Sequence, residues 1–281
     1  MKKVIQIISL ILLTILLTVL TQVGGLILLL FLLIWKKTIQ KIERLKSMRR
    51  IYKSSIKVGS FIVFYTLICL FIVPMIARPL GRVPLPINHD RIQPLNILTC
   101  LLNRHYVKEE LLDATLSVSE DLDTAYPGTI IAYLDAGFPF IDEFPLLPHL
   151  SHDDGEKLDL AFLYKDAESG EELNDAAPSF IGYGVFESPL PSEQNQPAYC
   201  ANKGYWQYSI LGTLIPQWNK PDYEFDEVRT KALLEILTKE SAIQKIFIEP
   251  HLKTRMNLHS NKIRYHGCGA VRHDDHIHIQ L

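Results

Sequence analysis

Two long apolar runs near the N-terminus constrain this chain most, because a membrane accommodates such segments more easily than a soluble core does. Residues 4–35 are almost uniformly apolar, interrupted by Gln6 and by Thr21-Gln22-Val23-Gly24-Gly25, and residues 58–77 form a second run. About 20 apolar residues span the hydrocarbon core of a bilayer. A cleavable signal peptide fits poorly, because the first run is too long and a second follows. The glycine pair favours a helical hairpin in residues 4–35, but residues 26–35 are short for a span, so a single tilted helix remains an alternative.

The charges around these runs predict the orientation of the chain. Residues 36–57 hold nine Lys or Arg residues against a single acid, Glu43. Such a basic segment marks the cytoplasmic side of a membrane protein and also suits contact with anionic lipids. We therefore expect a membrane region at residues 1–78 and an extracytoplasmic domain at residues 79–281. Lys2 and Lys3, if they are also cytoplasmic, support the hairpin.

The predicted external domain is acidic and has three of the four cysteines. Residues 79–281 carry seventeen bases and thirty acids, a balance that repels phosphate backbones and makes nucleic acid an unsuitable partner. Cys69 falls in the second apolar run, whereas Cys100, Cys200 and Cys268 lie outside it, where oxidation is possible. Three cysteines cannot all pair, and their spacing neither selects a pair nor matches a zinc ribbon.

Hydrophobic periodicity predicts an α+β domain with a small, mostly antiparallel sheet and flanking helices. Helices are expected at residues 95–114 and 226–239, and a short helix or turn at 251–256. Strands are expected at residues 128–134, 158–164, 245–250 and at the chain end, with a further candidate strand at 180–186. A proline-rich loop, residues 138–148, precedes Ser151. Residues 165–225 include an aromatic-rich stretch, residues 200–216, that either covers a site or belongs to the core.

The chain ends in the pattern AVRHDDHIHIQL, which combines strand alternation with metal-binding residue types. Ile277 and Ile279 alternate with His276 and His278, so a strand here buries the isoleucines and projects both imidazoles from its opposite face. Neutral imidazole is a common zinc ligand, and neighbouring acids and histidines are the usual proton-transfer groups.

A second motif supplies further candidate ligands. His152 precedes Asp159 by seven residues, and Gly155 permits a turn between them. Asp159 lies on the polar face of the predicted strand, so a loop histidine and a strand carboxylate can converge on one metal ion. A turn with solvated acids is the competing interpretation of His152 alone.

Together these motifs resemble the LAS metallopeptidases, the group of lysostaphin, D-Ala-D-Ala metallopeptidases and hedgehog domains. The run from Ser151 through His152 and Gly155 to Asp159, followed by KIFIEPHLKTRM and RHDDHIHIQL, is most similar to the penicillin-insensitive murein endopeptidases. The resemblance covers residues 133–164 and 226–281 and leaves out the membrane region and residues 165–223.

The resemblance implies that His152, Asp159 and His278 bind Zn²⁺, with water in the fourth position. It implies that His276 is the general base or stabilises the tetrahedral intermediate.

The two remaining candidates also come from the resemblance. His273 corresponds to another active-site histidine. Asp275 occupies the place of a glutamate base in some relatives, but strand alternation turns it away from His276 unless the strand begins after Asp275. We therefore rank His276 above Asp275 as the base.

The expected function is that of a membrane-anchored, zinc-dependent peptidase that hydrolyses peptide bonds in peptidoglycan cross-links. It would lie in the bacterial cytoplasmic membrane with its C-terminal domain extracytoplasmic or periplasmic, in contact with lipid and peptidoglycan. One alternative is a non-catalytic, zinc-containing binding or sensory module, against which His273 and His276 argue. A histidine-triad-like nucleotidyl transferase, suggested by HIHIQ, fits an acidic external domain poorly. A structural membrane protein with inactive histidines is the last alternative.

Overall fold

The computed structural model describes residues 1–41, 49–147 and 149–281 of the chain. The centre of the predicted basic segment, residues 42–48, and the last residue of the predicted proline-rich loop, Pro148, lie outside the described residues.

The N-terminal region forms a helical hairpin followed by a third long helix. Helix α1 (Lys2–Thr21) and helix α2 (Gly24–Lys41) are antiparallel neighbours, and helix α3 (Arg50–Leu67) continues through a π-helical segment (Ile68–Ile72) into α4 (Val73–Ala77). The segments Lys3–Thr21 and Ile51–Leu80 are long and apolar enough to cross a membrane. Of the two alternatives for residues 4–35, the structure therefore has the hairpin.

The glycine pair at the hairpin turn permits close packing of α1 on α2. A β-carbon at Gly25 would lie 2.1 Å from Thr18 Oγ1, and one at Gly24 would lie 2.6 Å from Thr21 Oγ1. Gln22, in the turn, adopts a positive φ of 64°. Its side-chain oxygen accepts a hydrogen bond from Phe140 N (2.8 Å) and its amide nitrogen donates to Ile141 O (3.1 Å). The tip of the hairpin thus binds the loop that leads to His149.

The C-terminal part contains a six-stranded mixed sheet. Its strands are β2 (Ile92–Pro94), β4 (Ile131–Tyr133), β5 (Lys157–Ala161), β9 (Lys245–Phe247), β10 (Ile263–Arg264) and β11 (His276–Gln280). The spatial order is β10-β9-β11-β5-β4-β2, with antiparallel pairing on both sides of β11 and between β4 and β5. The predicted class, mixed helix and sheet with small sheets, is confirmed at that level.

Smaller elements complete the domain. Strands β1 (Val83–Pro84) and β3 (Tyr106–Val107) form one pair, and β6 (Tyr164–Asp166), β7 (Glu172–Leu173) and β8 (Tyr223–Phe225) form a three-stranded sheet. The remaining α-helices of the described residues are α5 (Ile97–Leu101), α6 (Glu109–Ala125), α7 (Gln196–Asn202), α8 (Ile210–Leu214), α9 (Glu227–Lys239) and α10 (Pro250–Arg255).

One face of the large sheet forms the main core. Helices α6 and α9 pack against each other, and their apolar residues join those of the sheet in one cluster that includes Leu122, Leu237, Leu160, Ile277 and Ile279. Fully burying such side chains contributes roughly 1.5–3 kcal/mol each. Alternation then places His276, His278 and Asp159 on the opposite face, as the sequence predicted.

Two secondary-structure predictions are wrong. Residues 95–114 form no continuous helix, because Asn103 adopts a positive φ of 56° and ends the helical stretch before β3 and α6 begin. Residues 180–186 form turns instead of a strand, since both Gly182 and Gly184 adopt positive φ values. The helix at α9 and the strand at β11 are confirmed. The strands predicted at 128–134 and 245–250 are shortened to β4 and β9, and the predicted 158–164 strand is divided into β5 and β6.

Candidate metal centre

The pairing of β5 with β11 brings the two sequence motifs together. Asp159 on β5 is directly opposite His278 on β11, and Ala161 is opposite His276. Directly paired residues project from the same face of a sheet. Asp159 and His278 therefore meet, although 119 residues separate them in the chain.

His152 reaches the same point from the loop before β5. Its Nδ1 donates a hydrogen bond to the carbonyl of Ala136 (2.9 Å), which leaves the lone pair of Nε2 directed toward Asp159 and His278. The turn that carries His152 depends on Gly155, whose φ is 71° and whose missing β-carbon leaves room for Arg82. A backbone carbonyl that fixes the tautomer of a histidine is typical of metal ligands.

Three potential ligand atoms converge within a small volume. His152 Nε2 lies 3.1 Å from His278 Nδ1 and 3.2 Å from Asp159 Oδ1, and the last two atoms are 2.8 Å apart. All three side chains are at most 6% exposed. Ligand atoms about 2.0–2.2 Å from a tetrahedral ion would lie about 3.3–3.6 Å apart, so these three atoms would move apart by less than about 1 Å to hold one.

His149 is a site residue that the sequence analysis missed. It forms, with His152 and Asp159, a buried group that could hold a metal ion, with potential ligand atoms within 4.8 Å of one another. Its Nδ1 lies 3.1 Å from Asp135 Oδ2, while its buried Nε2 has no hydrogen-bond partner among the described residues. The spacing of His149 three residues before His152 was the available signal.

Tyr183, from the region that the resemblance leaves out, also reaches the site. Its hydroxyl donates to Asp159 Oδ2 (2.8 Å) and accepts a hydrogen bond from Asp135 N (3.1 Å). Gly182 and Gly184 flank it with φ values of 81° and 83°. A β-carbon on Gly182 would lie 2.3 Å from Leu134, so the chain can bring Tyr183 to Asp159 only with glycine there.

Asp275 contacts His276 because β11 begins at His276. Asp275 Oδ1 lies 2.5 Å from His276 Nδ1, and its Oδ2 accepts a hydrogen bond from Gly184 N (2.6 Å). The other ring nitrogen, His276 Nε2, lies 3.7 Å from Asp159 Oδ1. The condition that the sequence left open, a strand starting after Asp275, is thus met, and Asp275 orients His276.

His273 lies beside the other two histidines of the C-terminal motif. Its ring centroid is 4.9 Å from that of His276 and 5.7 Å from that of His278. Its backbone exchanges two hydrogen bonds with Glu249, one through the carboxylate and one through the peptide nitrogen of Glu249. The structure thus gathers all six predicted site residues and adds His149 and Tyr183.

The burial of these groups shifts their protonation. Burial would raise the pKa of Asp159, but the neighbouring His152 and His276 and hydrogen bonds from histidines hold it well below its ordinary value. Burial lowers the pKa of His278 to about 4, which favours the neutral imidazole that binds metals. Burial, together with His276, also lowers the pKa of His273. For His276, burial is outweighed by Asp159 and Asp275, which raise its pKa to about 9.

The cluster opens into a cleft of about 450 Å³. Gln207 and Ile210, from the aromatic-rich stretch, line one side, and residues 269–271 line another. Part of this stretch is core as well, since Tyr208 is buried and donates to Glu249 Oε1 (2.6 Å). The Cys200–Cys268 disulfide, which settles the open pairing, joins the stretch to the loop before residue 269.

Comparison with known proteins gives no family for this chain: no model of a protein family matches it, and no curated protein matches it.

Proposed function

We propose that this chain is a membrane-anchored, zinc-dependent peptidase that hydrolyses peptide bonds in peptidoglycan cross-links. The observation that carries the proposal is the convergence of His152 Nε2, Asp159 Oδ1 and His278 Nδ1 within 3.2 Å of one another at the floor of a cleft. Two segments distant in sequence supply these atoms, since His152 and Asp159 lie in and just after one loop and His278 lies 119 residues beyond Asp159.

The donor set suits zinc. Two imidazoles and one carboxylate, with a fourth position facing the cleft, is a ligand set of catalytic zinc sites. His152, Asp159 and His278 would hold the ion, because their potential ligand atoms lie within 3.2 Å of one another and the resemblance assigns these three residues as ligands. A zinc ion here would supply a Lewis acid and lower the pKa of bound water toward neutrality.

The side chains around the ligands have separate tasks in this proposal. Tyr183 holds the second oxygen of Asp159 and so fixes the orientation of the carboxylate. His276, fixed through Nδ1 by Asp275, presents Nε2 to the cleft. Because its pKa is raised to about 9, its ring is protonated at neutral pH, stabilises the tetrahedral intermediate and gives the proton of Nε2 to the leaving amine. A charge on His276 is stabilised by Asp275 at 2.5 Å. His273 lies beside His276 and completes the polar wall.

The peptidoglycan substrate is supported by the resemblance of the paired motifs to murein endopeptidases and by the proposed topology. With residues 36–57 in the cytoplasm, the segment Ile51–Leu80 leads to the outer face of the membrane, where peptidoglycan lies. The open cleft has room for a short peptide segment.

The test is release of soluble fragments from purified peptidoglycan by the full-length chain in detergent, with masses determined by mass spectrometry. We expect release that a chelator stops and added zinc restores, with masses that correspond to cut peptide cross-links. The matched variants are His276→Gln, which should be inactive, and His259→Gln at an exposed histidine, which should be fully active.

Release that continues in excess chelator would contradict the metal-dependent mechanism. If the chain binds one zinc and releases no fragments, the peptidase proposal is wrong and a non-catalytic zinc module is the better explanation.

A further inference from the structure

A second cavity of about 550 Å³ lies where the α3–α4 segment meets the domain. Its lining comes from residues 66–74 of that segment, from residues 84–87, and from residues 97–105 in and after α5. The side chains are almost all apolar, among them Cys69, Leu70, Leu85, Ile97, Cys100 and Leu101. None of these residues belongs to the candidate metal centre.

The cavity has a buried floor and an exposed apolar mouth. Leu85 and Cys100 are buried, whereas Leu70, Ile97 and Leu101 are 47%, 51% and 37% exposed. Apolar side chains that surround an open cavity are unfavourable in water. Beside a membrane-spanning helix the medium at the mouth is lipid, so hydrocarbon is the material that fills it.

The floor also contains an unsatisfied polar group. His105 lines the cavity, is 5% exposed, and its Nδ1 has no hydrogen-bond partner among the described residues. Burial lowers the pKa of His105 to about 3, so its ring is neutral. An unpaired buried nitrogen is unfavourable, and a ligand with a suitable polar atom would remove this cost.

The position of the cavity along the membrane-spanning segment matches the part of a phospholipid where the acyl chain joins its ester group. Residues 66–74 extend through the outer half of the segment Ile51–Leu80, which ends shortly after Arg78. The end of a spanning segment lies at the boundary between hydrocarbon and headgroups, where the ester groups of phospholipids are found. An ester carbonyl accepts one hydrogen bond from a neutral imidazole N–H.

We propose that this cavity binds one acyl chain of a bilayer phospholipid, whose ester carbonyl accepts a hydrogen bond from His105 Nδ1. The chain occupies the apolar volume behind Leu70, Ile97 and Leu101, and the headgroup stays outside. The proposal rests on the membrane anchoring of the protein and is independent of its catalytic activity.

The test uses the full-length protein in vesicles of phosphatidylethanolamine and phosphatidylglycerol, with a trace of phosphatidylglycerol that carries a diazirine in one acyl chain. After irradiation, the lipid adducts are mapped by mass spectrometry of peptides. We expect adducts on residues 84–105, with loss of this labelling in Ile97→Trp, where the indole fills the mouth. Met75→Trp, at a 72% exposed position on the same helical segment outside the cavity, should label like the wild type.

Leu101→Trp is the second variant, should Ile97→Trp not fold, and it should lose the same labelling. His105→Phe should reduce the rise in melting temperature that added phospholipid gives the delipidated wild-type protein. Unchanged labelling of residues 84–105 in both tryptophan variants would overturn the proposal, as would adducts confined to outward-facing residues such as Phe71. The assay contains no peptidoglycan, so its failure is distinct from failure of the proposed peptidase. Whether the protein is inserted in the vesicles is measured separately by membrane fractionation.

Discussion

At the scale of single residues, the candidate centre is notable for the density of buried groups around one carboxylate. Asp159 is within 3.7 Å of ring nitrogens from His149, His152, His276 and His278. Each of these rings is fixed by a contact at another point, such as Ala136 O for His152 and Asp275 for His276. Contacts of this kind hold ligands and catalytic groups in one orientation.

We predict that His276→Gln keeps the bound metal and lowers peptidoglycan hydrolysis by roughly 10²–10⁴-fold, the usual contribution of a proton-transfer residue. Asp275→Asn should keep the metal and lower the rate by a smaller factor, because it loosens His276 without removing it. Rates of fragment release and metal content per chain check both expectations. Full activity of His276→Gln would show that another group transfers the proton.

We also predict a pH-dependent contribution of His105 to stability. Its pKa is about 3 in the folded protein and close to 6.5 when unfolded, so the unfolded chain binds the proton more readily between these values. This contribution is fully present above pH 6.5 and decreases as the pH falls toward 3. The loss is about 2 kcal/mol between pH 6.5 and 5, since each unit of difference corresponds to about 1.4 kcal/mol. Denaturation of wild type and His105→Phe in detergent at several pH values should show a shallower acid dependence for the variant.

The site residues in the two motifs could be predicted, but two others could not. The alternation of His276 and His278 with isoleucines indicates a strand face, and β11 has that face. Tyr183 follows a long irregular segment, and nothing in the sequence indicates where such a segment brings its side chains. His149 could have been identified from its spacing to His152, which places both in one turn, with His152 N donating to His149 O.

At the scale of elements, the centre depends on loops held by contacts far apart in sequence. The loop from Gly137 to His152 is bound at one point by Gln22 of the hairpin and at another by the ion pair of Arg82 with Asp142. On the other side of the cleft, the Cys200–Cys268 disulfide holds the loop that leads to residues 269–271.

We predict that reduction of this disulfide destabilises the domain by about 4 kcal/mol, because the crosslink closes a loop of 68 residues. The melting temperature of the full-length protein should therefore fall in the presence of a reductant. The double variant Cys200→Ser/Cys268→Ser is the control, and its melting temperature should not respond to reductant. An equal response of variant and wild type would show that the effect of the reductant does not come from the Cys200–Cys268 disulfide.

Secondary-structure prediction succeeded where hydrophobic periodicity was strong and failed where the backbone conformation of a single residue ended a helix or prevented a strand. Helix α9 has both a regular apolar stripe and a capping residue, Asp226, whose side chain accepts from Arg229 N (3.0 Å). Residues 95–114 also show helical periodicity, but the positive φ of Asn103 interrupts it. A single residue in that conformation leaves no trace in the hydrophobic pattern.

At the scale of the whole molecule, the hairpin and the segment Ile51–Leu80 place a polar, acidic domain beside an apolar helical region. Hydrophobic length and charge were sufficient to predict this division, because both are properties of composition. The contact between Gln22 and residues 140–141 was not predictable, since it joins parts of the chain about 119 residues apart.

We predict that residue 37 faces the cytoplasm and residue 88 the outside. A membrane-impermeant maleimide is added to cells whose outer layers admit the reagent and whose cytoplasmic membrane is intact. It should label Asn88→Cys and leave Lys37→Cys unlabelled until the cytoplasmic membrane is broken. Both positions are exposed in the structure, so accessibility within the protein does not limit either reaction. Labelling of Lys37→Cys in intact cells would reverse the orientation and separate the domain from peptidoglycan.

Zinc binding by the candidate centre is tested most directly by the metal content of the purified full-length protein, measured by elemental analysis for the wild type, His278→Gln and His149→Gln. We expect about one zinc per chain in the wild type, loss of zinc in His278→Gln, and retention in His149→Gln, because the proposed ligands are His152, Asp159 and His278. Zinc retained in His278→Gln and lost in His149→Gln would move the ion to the group of His149, His152 and Asp159. A wild-type protein that binds no zinc after incubation with the metal would show that the cluster is not a zinc site and that the chain is not a zinc peptidase.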